Sequence, residues 1–171
     1  PLLRADAAAL PVASGSVDAV CAAMSLQVLT PLDAVLAEVR RVLGPGGRIA
    51  ALVPARLGYS PAGLLRWGRV LSAVRVPRQP WPNPRACDTA AAVLAAHGFT
   101  VDSDERRVMA LELATPHETA LLVDSLYLPG VAAHRLETAK AALARWARPG
   151  LRLPIPLRRV LAHVPEAGRA P

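Results

Sequence analysis

The feature that most constrains the fold is a strand, a helix, a glycine turn and a second strand within residues 17–53. Residues 17–24 (VDAVCAAM) are mostly apolar and follow the turn-forming sequence Ser14-Gly15-Ser16, as a buried parallel strand would. Residues 48–53 (RIAALV) form a second apolar run of strand length. Two such strands joined by a helix over this length form a βαβ unit, which favours a right-handed crossover and a parallel sheet.

The helix between these strands has the clearest signals in the chain. Thr30 is the predicted N-cap and Pro31 the predicted first helical residue, where a missing N–H costs nothing. Residues 44–47 (GPGG) end the helix and open a strand. A phosphate-binding loop has the opposite order, so this segment is predicted to be a structural turn. The buried face is predicted from helical spacing to consist of Leu32, Val35, Leu36, Val39 and Leu43.

The rest of the chain alternates between helical and strand patterns. Helices are predicted over residues 61–74, 89–97 and 116–147, the last interrupted at 128–130, and strands over 100–113 and 157–164. Asp88 or Thr89 would cap the helix that ends at Gly98. These elements predict an α/β protein. We expect one partial domain with a core in residues 1–54 and 87–113, a closing strand at 157–164 and a helical cover at 61–76 and 116–147.

Composition excludes several classes of protein. The 171 residues are 53% hydrophobic and 19% charged, which supports a folded core and argues against a disordered chain. The longest uncharged stretch, residues 19–32, is shorter than the roughly 18 apolar residues of a membrane span. The net charge of +7 comes from arginines scattered among few aromatics, which argues against a nucleic-acid surface. Cys21 and Cys87 lack a CxxC partner, so we expect no disulfide framework, no metal site and a reducing, cytoplasmic location.

Four segments in a fixed order carry a family resemblance. They are residues 6–11 (DAAALP), 17–20 (VDAV), 26–29 (LQVL) and 38–47 (EVRRVLGPGG). Together they resemble the class I S-adenosylmethionine-dependent methyltransferases, most closely the small-molecule, methyltransferase type 11-like group that includes quinone-biosynthesis enzymes. The resemblance implies a Rossmann-like, seven-stranded, mostly parallel sheet with a reversed last strand, of which this chain would be the C-terminal part.

The resemblance also implies S-adenosyl-L-methionine as cofactor and assigns Asp6 and Ala7 to its adenine end. A carboxylate accepts from the exocyclic amine, and a backbone amide donates to a ring nitrogen. The alternative is that Asp6 only caps its own loop. Residues at the end of the first strand, Ala23, Met24 and Leu26, would border the methionine moiety. Ordinary core packing is the alternative for Met24 and Leu26.

Gln27 is the candidate substrate-binding residue, because it stands where many relatives have histidine and still offers a donor and an acceptor. Glutamine is no base, so the resemblance supplies no catalytic base here. The predicted function is methyl transfer to a small, apolar organic acceptor. No G-x-G-x-x-G loop occurs in the chain, so that loop and the ribose-binding carboxylate are expected upstream of Pro1. The chain alone is therefore expected to be inactive and prone to associate through an unpaired strand edge.

Two other functions remain open at this point. One is a degenerate, non-catalytic methyltransferase-like interaction domain. The other is a serine hydrolase centred on Ser60, in which Gly58-Tyr59-Ser60-Pro61-Ala62 approaches a nucleophile elbow but ends in alanine rather than glycine. Its partners would come from His117, His134 or His163 with Asp88 or Asp102. A helix-entry loop is the favoured interpretation of Ser60, and a solvated strand edge is favoured over a catalytic base for Asp102, Asp104 and Glu105.

Overall fold

The computed structural model describes residues 2–166. Its elements alternate as the sequence predicts, with a four-stranded sheet in the order β1-β2-β4-β3. The strands are β1 (Val17–Ala23), β2 (Leu43–Pro54), β3 (Thr100–Glu112) and β4 (Arg152–His163). The helices are α1 (Leu32–Val42), α2 (Pro61–Val74), α3 (Arg85–Asp88), α4 (Ala90–Ala96), α5 (Pro116–Ser125) and α6 (Ala133–Ala144).

The chain divides into two compact units. The first comprises Pro1–Leu57, Pro82–Arg107 and Leu157–Pro171, and the second comprises Gly58–Trp81 and Val108–Pro156. Each has its own hydrophobic core. In the first unit, fully buried side chains from α1, β2 and α4 meet, among them Leu36, Ile49 and Leu94. In the second, α2, α5 and α6 contribute Val70, Val123 and Leu143.

The βαβ prediction is confirmed. β1 pairs in parallel with β2, with Val20 opposite Ile49 and Ala22 opposite Ala51. The connecting α1 buries Leu36 completely, together with Leu32, Val35 and Val39 of the predicted stripe, whereas Leu43 is buried on β2. The spacing of apolar residues therefore correctly identified the face of α1 that packs against the core.

The predicted reversed last strand is also confirmed, with a longer extent. β4 runs antiparallel to β2, from Arg48 opposite His163 to Pro54 opposite Leu157. It begins at Arg152 rather than at residue 157 and so contains Pro154 and Pro156. Both prolines precede the residues paired with β2, so neither has to donate to that ladder.

Two predictions around α1 are wrong in detail. Thr30 is not the N-cap, because the helix begins at Leu32 and the carbonyl of Pro31 accepts the first helical hydrogen bond, from Val35. The structural turn at residues 44–47 is part of β2, which starts at Leu43 directly after the helix. Val17 pairs with Leu43 and Ala19 pairs with Arg48. Residues 44–47 therefore have no partner on β1 and form a bulge.

The helix predicted over residues 89–97 is α4, and a short helix that was not predicted, α3, precedes it. Neither Asp88 nor Thr89 caps α4 through a side chain: Asp88 accepts from the backbone N–H of Arg56, and the Thr89 hydroxyl donates to the carbonyl of Arg85. The predicted end is confirmed. Gly98 has a φ of +79°, and the N–H of Phe99 bonds back to the carbonyl of Leu94.

Helix signals in the second unit were accurate. The observed α2 has the predicted bounds of 61 and 74, and α5 opens with a capping box between Thr115 and Glu118. The predicted helical stretch 116–147 is interrupted between Ser125 and Ala133, which includes the expected break at 128–130. No helix within residues 2–166 is long and apolar enough to cross a membrane.

Candidate functional site

Two loops of the first unit carry all the residues that sequence analysis assigned to the site except Ala23, the last residue of β1. We call residues 6–14 the N-terminal loop and residues 24–29 the β1–α1 loop. Asp6 and Ala7 lie in the former, and Met24, Leu26 and Gln27 lie in the latter, directly after Ala23 at the end of β1. Ala7 packs against the core cluster that contains Leu26, so both loops are anchored on the same core.

Asp6 is exposed and shapes its own turn. Its Oδ1 accepts from the N–H of Ala8 at 2.9 Å, and its carbonyl accepts from the N–H of Ala9 at 3.0 Å. The loop-capping role is thus real. It engages one carboxylate oxygen, and since a carboxylate has two, capping and contact with an adenine amine are compatible.

A charged pair on α1 fastens the N-terminal loop. Glu38 accepts from the N–H of Leu10 at 2.7 Å and from Arg41, whose Nη2 lies 2.7 Å from Oε1. Arg41 also donates to the carbonyl of Val12 and to the hydroxyl of Ser14, at 2.8 and 2.9 Å. The hydrogen bond from Arg41, helped by that from Leu10, lowers the pKa of Glu38 from 4.5 to about 2. This carboxylate is ionised at any physiological pH.

The β1–α1 loop begins at a backbone conformation that is unusual for a side-chain-bearing residue. Met24 has a φ of +52°, and its N–H donates to the carbonyl of Leu52 at 2.7 Å, which ends β1 there. Its side chain is 44% exposed, so the core alternative is wrong for Met24. Leu26, in contrast, is 2% exposed and belongs to the core. Non-glycine residues in this conformation cluster at ligand sites.

Gln27 is buried at 3% exposure and only partly satisfied. Its Nε2 donates to the carbonyl of Met24 at 2.8 Å, which closes the loop on itself. Its Oε1 is buried and finds no hydrogen-bond partner among residues 2–166. An unpaired buried acceptor costs about 1–3 kcal/mol. Gln27 can therefore offer this acceptor to a ligand.

Sequence analysis missed Asn83, which holds the same loop from outside. Asn83 lies at the end of a proline-rich segment and is 9% exposed. Its Nδ2 donates to the carbonyls of Leu29 and Leu26, and its own N–H donates to the carbonyl of Gln27 at 3.1 Å. The one available signal was a lone asparagine between prolines, which by itself indicates only a turn.

The other candidate residues have structural roles. Ser60 is the N-cap of α2, and its hydroxyl accepts from the N–H of Gly63 at 3.1 Å, as the helix-entry interpretation expects. Burial raises the pKa of the Cys87 thiol to about 11, so it is a poor nucleophile. Within residues 2–166 no group of three or more His, Cys, Asp or Glu side chains is arranged to hold a metal.

The acidic residues of β3 form ion pairs with β4. Asp104 contacts Arg158 through both carboxylate oxygens, and this hydrogen bonding lowers the pKa of Asp104. Glu105 pairs with Arg159 at 3.0 Å, and Asp102 lies 2.8 Å from Nδ1 of His163. These carboxylates stabilise a strand pair, in agreement with the predicted strand-edge role.

Comparisons with known proteins bear on the segment that contains both loops. Residues 1–51 match the methyltransferase domain family Methyltransf_11. The chain is 50% identical over 58 residues to the ubiquinone/menaquinone biosynthesis C-methyltransferase UbiE of Acidiphilium cryptum. That match covers 34% of this chain and 23% of the relative, so it spans about a quarter of the curated relative's length.

Solved structures extend the likeness to the whole fold. The [4+2]-cyclase SpnF superposes with a TM-score of 0.56 at 21% identity, over 95% of this chain and 55% of the cyclase. A Bacillus halodurans protein assigned as a methyltransferase gives a TM-score of 0.58 at 12% identity, over 96% of this chain and 77% of its own. At such identities the likeness concerns architecture alone. The chain therefore shares its fold with these structures, and its residues 1–51 match the methyltransferase domain family.

Proposed function

We propose that the protein transfers a methyl group from S-adenosylmethionine to a small, apolar organic acceptor. One observation carries the proposal: the segment that matches the methyltransferase domain contains both loops, and the second follows the carboxyl end of a parallel strand. Ligands of open α/β sheets bind beyond such strand ends. The exposed Met24 and the unpaired acceptor of Gln27 lie at that position.

The residues present fit the cofactor. Asp6 and the backbone of Ala7 would bind the adenine ring, and the exposed Ala23 and Met24 would border the methionine moiety, with Leu26 packed in the core beneath them. The Oε1 of Gln27 suits a donor such as the ammonium of that moiety or a hydroxyl of the acceptor, because it is buried and unpaired. When bound, the cofactor supplies an electrophilic methyl group on a sulfonium. The chain supplies orientation, which can account for most of the acceleration of an in-line transfer.

Gln27 does not act as a base, since a side-chain amide does not take up a proton near neutral pH. The acceptor therefore presents its nucleophilic atom with no help from this residue. An apolar acceptor is supported by the Acidiphilium relative, which is a ubiquinone/menaquinone biosynthesis C-methyltransferase.

Cofactor binding tests the first half of this proposal. In the natural full-length protein, Asp6→Ala should weaken S-adenosylmethionine binding by about 1.5–3 kcal/mol, the range for a hydrogen bond to a charged group. Titration calorimetry measures the change, and Asp18→Ala, an exposed carboxylate on β1, is the matched control. Unchanged affinity in Asp6→Ala would leave Asp6 with its loop-capping role alone. A full-length protein that does not bind the cofactor would refute the proposal.

Methyl transfer tests the second half. SpnF shares the fold and is a cyclase, so the fold alone does not fix the reaction. Incubation with methyl-labelled cofactor and a panel of quinone-like and polar acceptors should move label to the apolar members. Ser60→Ala should leave the transfer unchanged, because its hydroxyl only caps α2. Cofactor binding with no transfer to any acceptor would favour the non-catalytic interaction domain.

A further inference from the structure

We propose that Asn83 is a positioning residue that holds the β1–α1 loop in its cofactor-binding conformation. This inference rests on the proposed function. It concerns a residue outside residues 1–51, far along the chain from the loop that it holds.

The contacts made by Asn83 are concentrated on one loop. Its Nδ2 donates to the carbonyl of Leu29 and, at 3.4 Å, to that of Leu26, while its backbone N–H donates to the carbonyl of Gln27 at 3.1 Å. Three of the six loop residues therefore depend on one buried asparagine. The carbonyl of Asn83 accepts from the N–H of Ala86, which ties the residue to α3 at the same time.

Apart from the Met24 bond to Leu52 and the packing of Leu26 and Leu29 on the core, the loop is held by its own hydrogen bonds. Within it, the N–H groups of Val28 and Leu29 donate to the carbonyl of Ser25, and Gln27 donates to the carbonyl of Met24. These bonds make a compact turn, but they do not attach its far side to the rest of the first unit. Asn83 makes that attachment, since a donor amide can satisfy carbonyls that a turn leaves unpaired.

The loop also includes two unfavourable features that a loose loop would relieve. Met24 stands at φ +52°, and Gln27 Oε1 is buried without a partner among the described residues. Residues in such states persist only where surrounding contacts over-determine them. Asn83 supplies those contacts. The pre-formed loop then meets the cofactor with no need to reorganise.

This role predicts a specific kinetic signature. If Asn83 favours the cofactor-binding conformation of the loop, then its loss lowers the fraction of protein molecules in that conformation. The apparent affinity for S-adenosylmethionine falls in proportion to that fraction. Saturating cofactor restores the competent state, so the maximal rate is kept. A residue that only stabilised the fold would change neither parameter below the unfolding temperature.

The test uses Asn83→Leu in the natural full-length protein. Leucine is close to asparagine in size and shape but has no side-chain donor. We expect the KM for S-adenosylmethionine to rise about tenfold, the equivalent of about 1.4 kcal/mol, with kcat within about twofold. The control is Val160→Ala, a truncation of a fully buried β4 residue of the same unit, which should destabilise the fold and leave KM unchanged. Amide hydrogen exchange should accelerate at Val28 and Leu29 in Asn83→Leu but not in the control.

The outcomes separate the two proposals. If the wild type binds S-adenosylmethionine and Asn83→Leu keeps the wild-type KM and loop exchange rates, the positioning role is wrong and the proposed function stands. If the wild type does not bind the cofactor at all, the proposed function is wrong and the positioning role falls with it. If Asn83→Leu does not fold, Asn83→Ser, which keeps the backbone bond to Gln27 but cannot reach Leu29, is measured against the same criteria.

Discussion

The N-terminal loop and the β1–α1 loop are both fastened by side chains from outside, but the chemistry of the two attachments is opposite. Glu38 and Arg41 hold the first through a charged pair on α1 at the surface. Asn83 holds the second through a neutral amide that is almost fully buried, and the buried amide of Gln27 closes that loop from within. Surface ion pairs are individually weak and respond to pH and salt, whereas buried amide bonds respond to neither and leave costly orphans when broken.

This difference suggests a division of roles. The N-terminal loop is proposed to bind the adenine ring, which lies at the non-reacting end of the cofactor. The β1–α1 loop is proposed to border the reacting end of the cofactor, where small errors of position are most damaging. Its neutral attachment keeps the geometry independent of the ionic surroundings.

The largest effect is expected from Leu36→Asp, which disrupts the packing of α1, the helix that carries Glu38 and Arg41. Leu36 is fully buried on the face of α1 opposite to solvent, so a carboxylate there should destabilise the fold by about 3 kcal/mol or more. Urea unfolding measures the change. Ala37→Asp places the same charge at the next, exposed position of α1 and should have a small effect. Equal losses in the two variants would show that α1 is not packed as described.

A smaller effect, with a distinct pH dependence, is expected from Glu38→Gln. The pKa of Glu38 is lowered from 4.5 to about 2 by Arg41 and Leu10, so its contribution to stability is complete above pH 4.5 and is lost as pH falls towards 2. Acid unfolding followed by circular dichroism should show a shallower loss over that window in the variant. Asp18→Asn is the control, because Asp18 forms no ion pair among residues 2–166. An unchanged slope in Glu38→Gln would contradict the charged attachment.

The smallest effect is expected from Met24→Gly, which probes the start of the amide-held loop. The left-handed conformation costs a side-chain-bearing residue about 1–2 kcal/mol, and glycine removes that cost. Glycine also destabilises the folded state by about 0.5–1 kcal/mol, because its unfolded chain has more conformational freedom to lose. The free energy of unfolding should rise by less than about 1 kcal/mol. Met24→Ala keeps the positive φ and serves as the comparison for loss of the half-exposed side chain. A large destabilisation by glycine would indicate that the Met24 side chain has a packing role.

Local patterns were sufficient for most of the elements, whereas the candidate loops came from the family resemblance. Leu36 lies on a stripe of apolar residues at helical spacing, and Gly98 ends a helix where only a residue tolerant of positive φ fits well. Both signals act within a few residues, so the sequence displays them directly. The N-cap prediction at Thr30 was wrong by one residue, because the N-cap is Pro31. Local rules are least accurate at helix ends.

The sequence by itself determined the βαβ unit, the reversed closing strand that the family resemblance implied, and the two loops that bear Asp6 and Gln27. Only the tertiary structure decided that Asn83 reaches back across more than fifty positions to the β1–α1 loop. It also decided that Met24 is exposed while Leu26 is buried. Periodicity and capping are short-range properties of a chain, whereas the partner of a loop carbonyl depends on which distant segment the packed core brings within hydrogen-bond distance.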